Sequence, residues 1–182
     1  NDNIAVGSNA MYANTTGTRN IAIGPSAYVA SDTENDNLAI GYQAMTTDTA
    51  GGTLNVAIGN YSLDALTSGD DNTAVGHNAL GANTTGSDNT SIGFDTMKAN
   101  TTGADNVAVG VGSLIANTTA SQNTAIGRAA LYTNTTGADN VAVGRYALLA
   151  NTTGAQNTAL GSGALDANTT ANNNTALGFD AL

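Results

Sequence analysis

Residues 140–156 read Asn140-Val141-Ala142-Val143-Gly144-Arg145-Tyr146-Ala147-Leu148-Leu149-Ala150-Asn151-Thr152-Thr153-Gly154-Ala155-Gln156, and Asn157 then opens the same pattern again. The first five residues are one instance of a pentad, Asn, any residue, Ala or Ser, Val/Ile/Leu, Gly. It begins at Asn3, Asn20, Asn37, Asn55, Asn72, Asn89, Asn106, Asn123, Asn140, Asn157 and Asn174. The interval is 17 residues throughout except the 18 from Asn37 to Asn55, where Gly51-Gly52 offers a loop for the extra residue. Self-similarity at a fixed short period is the mark of a solenoid, in which each repeat leans on its neighbours. Counting each repeat, or coil, from its Asn as position 1, Asn1 and Asp2 fit the last two positions of a preceding copy and Leu182 stands at position 9. The expectation is one solenoid over residues 1–182, an excerpt of a longer repetitive fibre.

The consensus N-[TVIL]-A-[VIL]-G-x-x-A-[LM]-x-A-N-T-T-G-x-[DNQ] provides two short candidate strands and two corners. Positions 1–4 are extended and β-branched, and Gly at position 5 permits a corner that a Cβ disfavours. Ala-[LM] at positions 8 and 9 is expected to start the return, and Asn-Thr-Thr-Gly at positions 12–15 to close the coil with turn residues. Pro25, the one proline, follows the corner glycine Gly24, where a missing N–H does least harm. The regular Gly and Asn-Thr-Thr-Gly segments break any helical periodicity. A hexapeptide β-helix would require more aliphatic anchors and a period divisible by six, and the Gly-Gly-x-Gly-x-Asp signature of calcium-binding nonapeptides is absent. The fold expected is all-β.

Successive side chains of a strand point to opposite faces, so positions 2 and 4 look one way and position 3 the other. Position 3 is Ala in every coil but one, where it is Ser91, and position 4 is always Val, Ile or Leu. Small residues at positions 3 and 8 suit a narrow interior. The column Val6, Ile23, Ile40, Ile58, Val75, Ile92, Val109, Ile126, Val143, Leu160 and Leu177 must then be covered by the roll core or, more simply, by another copy of the chain. One coil buries too few aliphatic groups to offset the ordering of its backbone, so stacking and an intersubunit core are both expected. At the spacing of β-strands, eleven coils make a rod roughly 50 Å long.

Asn140-Val141-Ala142-Val143-Gly144 and its ten counterparts resemble the head repeats of YadA-like trimeric autotransporter adhesins, and the resemblance spans essentially the whole chain. It implies a left-handed parallel β-roll of about eleven 17-residue coils assembled as a parallel homotrimer, acting in adhesion or receptor recognition at a bacterial cell surface. The period is longer than the family's usual one, and the repeats also resemble those of other bacterial surface fibres and phage tail fibres. A structural spacer without a ligand of its own, in a surface fibre or a virion tail fibre, is the alternative function.

Composition narrows the partners. The 182 residues include 14 acidic and 4 basic side chains, a formal net charge of -10, which is unsuited to nucleic acid. There is no Cys, hence no disulfide framework, and no apolar run approaches the roughly 18 residues of a membrane helix. His77 is the single histidine, so neither a Ser-His-Asp arrangement per coil nor a multi-histidine metal site can be built within one chain. A glycan-processing enzyme on this scaffold would need a cleft with paired acids, and regular coils supply no walls for one. No catalytic residue, metal or cofactor is expected, and the partners are the chain itself and a surface glycan or protein receptor.

The polar columns have readings of their own. Asn at position 1 suits an amide ladder along the rod. Asn14, Asn83, Asn100, Asn117, Asn134, Asn151 and Asn168 each open an Asn-Thr-Thr glycosylation sequon, though the strict repeat phase favours turn chemistry. Adjacent Thr residues would face opposite ways in an extended chain, which disfavours an ice-binding array. Asp36, Asp71, Asp88, Asp105 and Asp139 form an interrupted carboxylate column, better read as a solvated acidic edge than as a calcium site. Position 6 varies freely along the rod, as an exposed column should, and carries Tyr42, His77, Phe94, Arg128 and Arg145, with Tyr146 beside it at position 7. Aromatic faces and guanidinium groups suit sugars or acidic surfaces, so these six are the candidate ligand-binding residues.

Overall fold

A computed structural model describes residues 2–31, 33–47 and 51–182. The chain is an all-β parallel solenoid. Each coil contributes one three-residue strand: β1 Ile4–Val6, β2 Ile21–Ile23, β3 Leu38–Ile40, β4 Val56–Ile58, β5 Thr73–Val75, β6 Thr90–Ile92, β7 Val107–Val109, β8 Thr124–Ile126, β9 Val141–Val143, β10 Thr158–Leu160 and β11 Thr175–Leu177. They form a single sheet in chain order, every pair parallel, with each position opposite its own counterpart. The 18-residue step leaves this register intact, since Leu38, Ala39 and Ile40 pair with Val56, Ala57 and Ile58. The bulge expected at Ala50 to Thr53 lies partly outside the described residues, at Ala50. Its described part, Gly51 to Thr53, has no regular structure.

The strand ends where position 5 turns. Its glycines have φ between 123° and 142°, which a Cβ disfavours. A Cβ on Gly144 would also collide with the Gly161 carbonyl of the next coil. The ladder continues past the corner through the amides of positions 5 and 7, as in Gly144 N to Ile126 O at 2.8 Å and Tyr146 N to Arg128 O at 3.1 Å. Position 6 is skipped, so Pro25 interrupts nothing.

The return differs from the second strand expected at positions 8 and 9. Positions 7 and 9 are left-handed, as at Tyr146 (φ 63°) and Leu148 (φ 52°), and the segment is a succession of turns. The reason is steric. A regular strand would send one of two adjacent side chains outward, whereas the left-handed residue lets Ala147 and Leu148 both enter the interior, each fully buried. Coil-to-coil hydrogen bonds survive the twist, with Leu148 N donating to Ala164 O at 3.0 Å. Leu or Met at position 9 thus becomes the largest recurrent apolar group of the core, packed against Ala at positions 3 and 8.

Two columns of Asn line the same interior. Position 1 forms the expected ladder: the backbone amide of Asn123 donates to the Asn106 Oδ1 at 3.0 Å and that of Asn140 to the Asn123 Oδ1 at 3.0 Å. Position 12 forms a second ladder, with the Nδ2 of Asn117 donating to Asn100 Oδ1 at 2.8 Å and that of Asn151 to Asn134 Oδ1 at 2.9 Å. Asn83, Asn100, Asn117, Asn134 and Asn151 are completely buried, so these five sequons present no amide to a glycosylating enzyme in the folded chain. Thr at position 13 is likewise engaged, Thr118 Oγ1 donating to Thr135 O at 3.1 Å. The acidic column is set by the backbone: Asp36, Asp71, Asp88, Asp105 and Asp139 have φ of 55° to 61°, a region Asp and Asn tolerate well. Among the described residues no three His, Cys, Asp or Glu side chains group as a metal site.

Candidate functional site

Two surfaces of the rod carry side chains that the fold does not consume. The first is the outer face of the sheet. Position 3 alanines point inward and are fully buried in β2 to β5, while position 4 points outward throughout. Val6 is 56% exposed, Ile92 40%, Ile126 39% and Leu177 74%, and the remainder of the column is exposed or half-buried. In the single chain the column therefore lies on the outer face of the sheet, away from the Ala and Leu interior. Position 2 shares the face, with Ile4, Val107 and Val141 exposed, Ile21, Leu38 and Val56 half-buried, and Thr73, Thr90, Thr124, Thr158 and Thr175 in the other five coils. The result is an apolar strip as long as the sheet.

The second surface lies past the corner glycine, where position 6 leaves the coil. Stacked coils bring four rings into a row. Tyr42 meets Tyr61 edge to face at 5.5 Å, Tyr61 meets His77 at 5.8 Å and 73°, and His77 stacks on Phe94 at 5.3 Å and 15°. Each contact falls within the range at which aromatic pairs attract. His77 and Phe94 are exposed, so the row is a surface feature. The sequence reading placed Tyr42, His77 and Phe94 in one column, and it is Tyr61 at position 7 that joins Tyr42 to His77.

Above Phe94 the row gives way to a groove of about 410 Å³. Position 7 explains it. Asp95 and Tyr146 stand at either end, and the two coils between them carry only Gly112 and Ala129. Missing side chains in successive coils leave a trough between position 6, with Phe94, Val111 and Arg128, and position 10, with Ile115, Tyr132 and Leu149. Arg145 lies over the Tyr146 ring, its Cζ 4.4 Å from the centroid and its Nη2 3.3 Å from the phenol oxygen. That hydrogen bond, followed by the charges of Arg128 and Arg145, holds the Tyr146 phenol below its ordinary pKa.

Of the six candidate residues, therefore, Phe94, Arg128 and Tyr146 line one groove, Arg145 caps its far end through Tyr146, and Tyr42 and His77 belong to the aromatic row leading to it. Position 10 was missed by sequence reasoning because its role depends on the left-handed return. The run Asp95, Gly112, Ala129, Tyr146 at position 7 was the available signal, a pair of small residues between larger ones. Comparison of the chain with protein-family models, with curated proteins and with solved structures finds no match.

Proposed function

We propose that the chain is a segment of a trimeric, non-enzymatic surface fibre whose variable edge recognises a ligand on another cell or surface. One observation carries this reading: the outward position 4 of eleven in-register strands forms an aliphatic strip, exposed or half-buried, along the whole sheet, and position 2 widens it with aliphatic residues in six coils and Thr in five. Leaving such a strip in water is unfavourable, and contiguous apolar patches mark interaction sites. A second and third copy in parallel alignment cover it best, since identical coil spacing matches strip to strip along its full length. The resemblance of the pentad to YadA-like heads supports three chains, left-handed coiling and a bacterial cell surface; a virion tail fibre has the same needs.

The adhesive part of the reading is supported by the contrast between columns. Positions 1, 3, 5 and 9 are fixed by the interior, whereas position 6 changes from coil to coil and gathers rings and guanidinium groups at coils 3–9. Beads coated with the assembled chain, and with a Phe94→Ala, Arg128→Ala, Arg145→Ala variant, test it on cells and glycan-coated surfaces. The reading expects retention of the parent and loss of the variant, with both still assembled. Unchanged adhesion by the variant would remove the column from the account. The unbroken register favours a second reading, a plain spacer, and failure of the parent to bind any surface would select it.

A further inference from the structure

We infer that the groove across coils 6–9 binds a carboxylated saccharide, with Arg128 as its anion-recognising group. The inference rests on the adhesive reading above and gives its ligand a chemistry. Shape comes first. Gly112 and Ala129 open the groove over two successive coils, and its 410 Å³ falls within the range of about 300–1,000 Å³ typical of small-molecule sites. Phe94, 53% exposed, and Tyr132, 41% exposed, present rings on its two sides. Flat apolar rings pack against the C–H faces of a pyranose while leaving its hydroxyls in water.

Charge separates an acidic sugar from a neutral one. The chain has only four cations against fourteen acids. Among the described residues the two ion pairs are Arg19 with Asp36 and Lys98 with Asp95. Arg128 and Arg145 thus stand without a carboxylate partner at the groove and its cap. The carboxylate within the groove, Asp95, is engaged by Lys98 at 3.8 Å and by the Asn78 Nδ2 at 2.9 Å, and makes no ion pair with Arg128. A guanidinium matches a carboxylate with two parallel hydrogen bonds, which gives orientation as well as attraction. An anionic ligand is repelled by most of this acidic rod and drawn to one place on it, a source of specificity.

The test is saturation-transfer NMR and calorimetry on the assembled chain with a short oligogalacturonate and its neutral galactose counterpart. The acidic oligosaccharide should bind at least about tenfold more tightly than the neutral one, the worth of one charged hydrogen-bonding pair. Arg128→Gln should reduce the acidic ligand to the neutral level. Ala129→Tyr fills the groove with a side chain that position 7 already carries at Tyr61 and Tyr146, and should abolish binding of both. Equal affinities, no binding of the acidic sugar, or unchanged binding to Ala129→Tyr would each overturn the inference, as would displacement of the sugar by a more tightly held acidic peptide. Light scattering on the same sample separates the failures: an assembled chain that ignores the acidic sugar defeats this inference alone, and a monomer defeats the fibre reading.

Discussion

Asn106 and Asn117, eleven residues apart in one coil, donate their Nδ2 groups to a single carbonyl, that of Ala120, at 3.0 and 2.9 Å. The same convergence recurs on Gly86, Gly103, Gly154 and Ala171. Each of these five carbonyls therefore ties the strand's beginning to the closing turn, while in the coils of Gly86, Gly103, Ala120 and Gly154 both Oδ1 atoms bond the next coil. A polar interior is tolerable because these amides are satisfied along and across the rod.

Removing one rung should be costly for that reason. Asn106→Ala leaves the Asn123 amide without its Oδ1 acceptor, which lies at 3.0 Å. It also weakens the hold on Ala120. The expected destabilisation is about 1–3 kcal/mol, read from denaturant unfolding followed by circular dichroism. Asn106→Asp should cost more, since a buried carboxylate cannot donate to Ala120.

The corner glycine offers a backbone test. Gly144 has φ 136° and lies against the Gly161 carbonyl. Gly144→Ala should destabilise by at least about 1–3 kcal/mol. Ala155→Gly, at a half-buried position near the end of the same coil, should change stability far less. Thermal unfolding of the two variants distinguishes them.

The buried sequons predict a modification pattern. Expressed through a glycosylating secretory pathway, the folded chain should carry no glycan on Asn83, Asn100, Asn117, Asn134 or Asn151, all completely buried. Peptide mass spectrometry of the folded fraction checks this, and full occupancy of any of the five would contradict the second ladder.

Glu34 replaces the usual Gly or Ala at position 15 and is nearly fully buried. Burial raises its pKa, but hydrogen bonds from Ser31 Oγ at 2.7 Å and from the Thr33 amide and hydroxyl at 3.1 and 3.2 Å outweigh this and hold it below the ordinary carboxylate value. A depressed folded pKa means that the ionised form stabilises the fold above the unfolded value, and that this contribution is lost as pH falls through the folded value. Melting temperature should therefore drop on acidification below the ordinary Glu range, and Glu34→Gln should flatten that part of the profile.

Much of this architecture was legible in one coil. The 17-residue clock, the fixed Gly and the alternation of positions 2, 3 and 4 specify a parallel strand stack with Ala inward, because period and alternation are properties of a backbone. The closing half was harder. Leu148 enters the core from a left-handed residue, and nothing in Ala-Leu announces that conformation. Asn151 has the sequence of a turn and a sequon, and becomes a ladder only when Asn134 is set directly beneath it. The groove was hidden for the same reason, since Tyr132 and Gly112 come together through the geometry of the return.

The sheet's apolar strip is the centre of the functional account, and molar mass in solution tests it most directly. Multi-angle light scattering at micromolar concentration should give three times the 17.9 kDa chain mass, and Ile92→Asp, which sets a carboxylate in the strip beside Ser91 and Gly93, should lower it. A stable monomer of the parent chain, with its strip left to water, would contradict the account.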